Sequence, residues 1–443
     1  MKIQLSDHFT YRRLMRFVLP SIAMMLLTSV YSVVDGLFVS NLVGSKAFAA
    51  VNLIWPYLNI FCTAGFMFGT GGSALVSKLL GEGKKEKAKE VFSLIIYAEI
   101  ILGIVLTIVA AFTIRPVSVL LGAEGELLEN CVLYGRCLIF SLITMTLQIS
   151  FQSFLVAAER PMLGLTITAA SGISNIALDA LFVAVFHWGL LGAGIATSIS
   201  QAAGGLVGIL FFIRNRKNPL HLGKTRFMKK ELLKTCTNGI SEFLTEICFS
   251  VVGIVYNYQL MQYIGEDGVT AYGIIMYASF IFAAIFYGYC LGSAPIISFH
   301  YGAGNHDELQ NLFRKSLVII LISSALGVAA AELLAGAVAS IFVSYDPELL
   351  EMTKAAFRIY SSSFLIGGIN TFASSLFTSL NNGLVSGLMA FLRTFLFQVV
   401  AVLVLPVLFG IDGIWFAVIV AEVLALVVSL TCMVKYKGVY HYA

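Results

Sequence analysis

The chain reads as an all-α integral membrane protein, with twelve transmembrane helices in two six-helix lobes related by pseudo-twofold symmetry along the membrane normal. Three observations carry this. Of 443 residues, 59% are hydrophobic and 12% charged, and the mean hydropathy is +0.91, which excludes a water-soluble globule. Apolar runs of about 20 residues, enough to cross roughly 30 Å of hydrocarbon as a helix, fill most of the length. The chain also repeats itself. Slid by 221 residues, Asn41–Phe92 falls on Gln262–Phe313 without a gap, setting Gly44 on Gly265, Ala50 on Ala271, Gly71 on Gly292, Ser77 on Ser298 and Gly81 on Gly302. Further on the shift is 222, with Glu129 on Glu351, Arg136 on Arg358 and Gln148 on Asn370, as one inserted loop residue would produce. Six spans per half is an even number, so both halves enter the membrane the same way and a site is expected in the seam between them. The expected divisions are a lobe at 1–213, a basic linker at 214–231 and a lobe at 232–443.

The spans follow in order. The first, Phe17–Ser40, places Ser21, Thr28, Ser32 and Asp35 at spacings of seven, four and three, on one helical face. The second, Phe48–Val76, carries Pro56 and the small pair Gly65/Gly69, a close-packing signal. The third, Val91–Ile114, holds Glu99, and the fourth, Glu129–Ala157, a polar stripe of Ser141, Gln148 and Gln152. The fifth, Met162–Phe186, sets Asn175 and Asp179 one turn apart, and the sixth, Leu190–Ile213, has Gly204/Gly208. In the seventh, Leu232–Tyr263, the residues Glu242, Glu246, Ser250, Gly253 and Asn257 align over four turns. The eighth, Val269–Phe299, contains Pro295 and the ninth, Leu312–Ile341, Glu332. The tenth, Leu349–Leu380, echoes the fourth with Ser363, Asn370, Ser374 and Thr378. Leu384–Phe409 and Ile414–Val434 complete the set, with Arg393 and Pro406 in the former and Glu422 in the latter. Prolines within spans remove a backbone donor and bend the helix, although Pro20 also suits a first turn.

Orientation follows from the basic residues, because Lys and Arg stay on the cytoplasmic side. Of 28, all but Lys46, Arg115, Arg136, Lys354 and Arg358 fall at the termini or the even-numbered gaps, including Lys2 and the linker residues Arg214, Arg216, Lys217 and Lys224. Both termini therefore face the cytoplasm. The net charge of +4 is a topology signal, with the linker set against anionic headgroups, and no argument for nucleic acid. The arginines before the first span precede a run too long for a signal-peptide core.

Seven carboxylates remain at membrane depth: Asp35, Glu99, Asp179, Glu242, Glu246, Glu332 and Glu422. An ionised carboxylate there costs on the order of 3 kcal/mol even on the gentlest insertion scales, so each is a functional-site candidate. The stripes above line a wet central cavity in the simplest reading. The halves are not equivalent in their acids, since Asp35 lies over Tyr256 and Asp179 over Ala401. If Asp35 and Asp179 converge, desolvation and mutual repulsion favour a shared proton. Glu242 and Glu246 would meet a cationic substrate, with Phe151, Phe154, Tyr256 and Tyr287 as candidates for an aromatic wall against flat cations. Glu99, Glu332 and Glu422 lack a comparable stripe and read as structural or peripheral, with Glu422, over Gln201 in the repeat, the most interesting of the three.

Soluble-enzyme chemistry finds no support. The sequence has no GxxxxGK[ST] loop for ATP, its seven cysteines lack CxxC spacing, and its six histidines lack metal-ligand spacing. His300 and His306, flanking a glycine loop, read as solvated. No cofactor is expected.

The segments YSVVDGLFVSNLVGSKAFAAVNL, SNIALDALFV, GLLGAGIATSISQ and GVTAYGI…LGSAPIISFHYGAGN resemble the multidrug and toxic compound extrusion (MATE) family, the last especially its MepA-like bacterial branch. The resemblance covers essentially the whole chain. It implies a multi-pass antiporter of the bacterial inner membrane, a monomer that expels organic cations and takes in protons or sodium. Relatives hold the coupling ion with four first-lobe residues that match Asp35, Asn175, Asp179 and Thr197 here, which also makes them the possible sodium site. A second site in the family pairs a second-lobe glutamate with a tenth-span aspartate. Here Glu242 and Glu246 are out of clear register and the tenth span offers Asn370, a departure that points to protons. From the stripes come Gln148, Gln152, Asn257 and Asn370, and from the aromatic wall Tyr256, which join the two glutamates as the expected substrate cavity. A lipid-linked oligosaccharide flippase of related architecture is the alternative. Such a flippase should line its cavity with Arg or Lys, and only Arg393, Arg136 and Arg358 could serve.

Overall fold

Residues 3–216, 218–343 and 346–443 are described by the computed structural model, and every regular element among them is helical. Lys2 and Lys217, counted in the orientation argument, lie outside the described residues. Ten helices are long and apolar enough to span a membrane: Tyr11–Val43, Lys46–Gly81, Lys85–Leu120, Pro161–Val185, Gly189–Arg214, Ile240–Tyr263, Glu266–Gly302, His306–Val343, Gly383–Phe409 and Ile411–Tyr440. The fourth span is two helices, Gly125–Ile139 and Leu142–Ala157, bent by 60° where they meet. Its repeat partner, the tenth, is likewise broken into Pro347–Ser361 and Phe364–Ser379. The outer helix of that pair carries Glu348, Glu351, Lys354 and Arg358, which is why it looks least like a membrane segment.

Outward faces are apolar, as a hydrocarbon solvent requires. Phe112 is 80% exposed, Phe140 87% and Leu333 83%. Most helices outrun their apolar cores; the third, for example, begins at Lys85 and ends at Leu120. The seventh span starts later than its hydropathy suggests. A separate short helix, Lys229–Asn238, precedes it and ends at Gly239, tied to the first lobe by Lys87 Nζ on Glu231 at 2.8 Å. The Lys87 ammonium hydrogen-bonded to Glu231 holds that carboxyl below its usual value.

The pseudo-twofold axis is visible in the seam. A Cβ on Gly81 would lie 2.0 Å from the Phe299 carbonyl oxygen, and one on Gly302 would lie 2.1 Å from that of Lys78. These contacts exchange under the 221-residue shift. Gly71 against Gly239 and Gly292 against Val18 form a second exchanging set, at 2.5 Å to the Gly239 nitrogen and 2.8 Å to Val18. Only hydrogen at these positions lets the backbones approach so closely. All four contacts lie toward the end of the bundle that carries the termini and the linker, so the lobes are shut there. Pro20 sits well inside a helix that starts at Tyr11, which removes the first-turn reading.

Candidate functional site

Above the shut seam lies a cavity of about 350 Å³. Both lobes line it. The first lobe supplies Thr28 and Ser29, Phe66 and Thr70, and Gln152 and Ser153; the second supplies most of the rest. Along the seventh span the lining face runs Glu242, Thr245, Glu246, Phe249, Val252 and Tyr256. Glu242 and Glu246 are one turn apart and only partly covered. Glu246 Oε2 accepts from Asn59 Nδ2 of the first lobe at 3.4 Å, a bond across the seam. Tyr256 stacks on Tyr272 at 5.0 Å and donates to Gln398 Oε1 at 3.0 Å. Tyr287 and Tyr360 complete an aromatic wall.

Asn257, Gln148, Asn370, Phe151 and Phe154, all expected at the cavity, fall outside it. Asn257 is exposed and off the lining, because one residue beyond Tyr256 turns the helix by about 100°. Gln148, one position before the lining residue Ile149, is rotated likewise into the lobe interior, where it packs against Gly204. Asn370 is buried behind the wall and bonded to Glu422. Phe151 and Phe154 belong to a closed first-lobe cluster with Phe92 and Phe212. Nor is the first-span stripe one wall. Thr28 lines the cavity, Ser21 is buried in the seam, Ser32 is exposed and Asp35 turns into the lobe.

Asp35 and Asp179 do meet inside the first lobe, with Thr197 and Tyr134 beside them. Asp179 is wholly buried. Both its carboxyl oxygens, and Oδ1 of Asp35, have no hydrogen-bond donor among the described residues. Asn175 and Thr197 are adjacent, at 3.5 Å from Nδ2 to Oγ1. Helical geometry is disturbed next to each acid: Val39–Val43, just after Asp35, and Ala180–Val185, just after Asp179, are π-helical. Such single-turn widenings turn side chains out of the regular register and recur at functional sites. Two facing carboxyls with no counter-ion require a proton or a bound cation between them. Tyr134 was not legible in advance, since nothing distinguishes one buried tyrosine from eighteen.

The second lobe answers with an ion pair. Arg393, on the third π-helical turn Leu392–Leu396, donates from Nε to Glu422 Oε1 and Oε2 at 2.9 and 3.1 Å, and its Nη2 lies 2.9 Å from Oε1 in the same ion pair. Its Nη1 bonds Thr371 Oγ1 at 2.8 Å, and Asn370 Nδ2 supports Glu422 Oε2 at 2.7 Å. Glu422 thus departs from the structural reading, since it and Arg393 both line the cavity. Glu99 is enclosed and accepts from Ser150 at 2.6 Å. Glu332 is half-exposed and paired with Arg358 at 3.3 Å, at the outer end of its span. His300 is buried, not solvated, because residues 3–9 fold over it and Phe9 meets its ring edge-on. Among the described residues no group of three His, Cys, Asp or Glu is placed to hold a metal ion.

Two duplicated helical lobes, shut at one end and enclosing a polar, aromatic cavity at their seam, define a two-lobed membrane carrier. The MatE family model matches residues 20–181 and again 243–404, once per lobe and over more than half the chain; the protein belongs to the MatE family, and is a secondary transporter and no enzyme. It is 26% identical over 427 residues to the multidrug export protein MepA of Staphylococcus saprophyticus, covering 95% of this chain and 92% of that one. Two solved structures share the fold. A MATE crystallised in complex with MaL6 superposes with a TM-score of 0.92 at 20% identity, covering 98% of both chains. An outward-facing multidrug resistance MATE family transporter of the MOP superfamily superposes at 0.90 and 21%, covering 100% of this chain and 99% of that one.

Proposed function

We propose that the protein exports cationic, amphipathic compounds across the bacterial inner membrane in exchange for protons, by alternating access. The observation that carries the reading is the separation of two acidic sites. Glu242 and Glu246 face the cavity, where an ammonium or flat aromatic cation meets their charge and the tyrosine wall. Asp35 and Asp179 face each other in the first lobe, off the cavity, with Oδ1 of Asp35 and both oxygens of Asp179 lacking a donor among the described residues. The first span connects them, with Thr28 on the cavity and Asp35 two turns on. Protonation or deprotonation of the aspartate pair changes how that helix is held, and so changes the cavity wall.

With the basic residues on the cytoplasmic side, the shut end of the seam is read as the cytoplasmic one. Asp35, Asn175, Asp179 and Thr197 would equally suit sodium by their oxygen donors, and the ion is therefore the variable to test. In proteoliposomes, ethidium export is driven by an imposed pH gradient in sodium-free buffer and abolished by Asp35→Asn and by Asp179→Asn. Unchanged transport in both variants, or a strict requirement for sodium, refutes proton exchange at this pair. The flippase reading is not favoured. Among the described residues the one basic cavity group, Arg393, is neutralised by Glu422, and Glu242 and Glu246 leave the wall net acidic.

A further inference from the structure

Residues 3–9 precede the first span and would be free to leave the protein if nothing held them. They are instead pinned to both lobes. The Leu5 amide donates to Glu159 Oε1 at 2.9 Å, in the short turn between the fourth and fifth spans of the first lobe. Four residues on, the Phe9 amide donates to Glu308 Oε1 at 2.8 Å and His8 Nδ1 lies 2.5 Å from Glu308 Oε2, at the start of the ninth span in the second lobe. The Phe9 carbonyl accepts from Asn311 Nδ2 at 3.0 Å and Lys315 Nζ at 2.6 Å.

The segment's apolar side chains go inward. Leu5 is 1% exposed and Phe9 is fully buried, against Phe17 at 6.1 Å and the enclosed ring of His300. Glu308 is itself 6% exposed although it sits in a first helical turn at the membrane surface. A buried carboxylate is stable there because it accepts from the Phe9 amide and from Asn311, at 2.8 Å each, while facing His8.

We propose that residues 5–9 form a latch across the shut end of the seam, with Glu308 as its keeper, and that the carrier opens on this side only after Phe9 is released. The proposal rests on the alternating-access part of the reading above and not on the exchanged ion. The chain length between the two anchors makes the constraint physical. Four residues reach at most about 14 Å when fully extended. Lobe ends that part further than this must break either the Leu5–Glu159 bond or the set around Phe9. Phe9 also lies only two residues before Tyr11, where the first span begins, so a first span that moves away from the ninth pulls on the Phe9 set whether or not Leu5 stays bonded to Glu159. Breaking that set exposes a phenyl ring and takes the Phe9 amide and His8 from Glu308, which keeps only Asn311 among the described residues.

The test is a distance across the shut end, read in the full chain in lipid nanodiscs without substrate. Spin labels replace the exposed Lys85 and Asp307, one in each lobe, in a background where the half-buried Cys137, Cys236 and Cys432 are serine. Glu308→Ala is expected to raise the long-distance population about tenfold, as loss of charge-assisted hydrogen bonds implies. The pair His8→Cys/Glu308→Cys keeps the test decisive should that variant not fold. Oxidised, it holds the short distance alone; reduced, it lacks the keeper and populates the long one. A wild-type distribution in Glu308→Ala, or a long-distance population in the oxidised pair, overturns the proposal. Neither readout depends on proton exchange, so failure here and failure of the coupling reading are distinguishable.

Discussion

Removing the Arg393 side chain tests whether the charged pair in the cavity wall is a unit. In Arg393→Met the aliphatic stem is kept and the guanidinium is lost. Glu422 then forfeits the contacts at 2.9, 3.1 and 2.9 Å and retains Asn370 alone at 2.7 Å. Thr371 Oγ1 loses its donor as well, whereas the Gly367 carbonyl loses Arg393 Nη2 and still accepts from Thr371 Oγ1 at 2.8 Å. Breaking a buried pair from one side costs about 3–5 kcal/mol, because a carboxylate is left uncompensated. Arg393→Met/Glu422→Gln removes the orphaned charge while keeping an acceptor for Asn370, and should cost about 1.5 kcal/mol or less. The double variant is therefore predicted to be more stable than Arg393→Met by about 1.5–3.5 kcal/mol. The difference is read as unfolding free energy from SDS titrations of purified protein in mixed micelles, followed by tryptophan fluorescence. Equal destabilisation in the single and double variants refutes the argument, for it would mean that Arg393 acts through packing and not through Glu422.

Three further outcomes are expected. Glu246→Gln weakens cationic dye binding about tenfold or more in equilibrium titrations, since it removes a charge facing the cavity, whereas Asn59→Ala changes affinity by a smaller factor because its bond to Glu246 is long at 3.4 Å. Gly81→Ala and Gly302→Ala each drive a methyl to about 2 Å from a backbone oxygen across the seam, so both shift the labelled distance between the lobes' shut ends to longer values, and an unchanged distance would contradict the close approach. Asn257→Ala leaves dye affinity within about twofold, because the side chain points away from the cavity.

How much was legible differs between the two acid pairs. Asp35, Asn175 and Asp179 were found by their cost at membrane depth and by the one-turn spacing in the fifth span, and the structure brings the two aspartates face to face. Glu242 and Glu246 were found the same way and line the cavity. The helical stripes misled where they were extended too far. A face drawn through Glu242 and Asn257 drifts from the true lining by about one residue's rotation after four turns, and the cavity follows Tyr256. The Glu422–Arg393 pair was missed because its members lie 29 residues apart on different helices, and no stripe on either helix marks them as neighbours.

The sequence by itself determined the solvent, the span count and the duplication. Apolar run length, basic-residue placement and a 221-residue repeat are local properties that a bilayer reads segment by segment. Tertiary structure alone decided which side chains share a space. The bent fourth span, the π-helical turns beside Asp35 and Asp179 and at Arg393, and the segment that buries His300 each arise from contacts between distant residues. Such contacts depend on rotation about a helix axis and on which helices neighbour one another, and hydropathy carries neither.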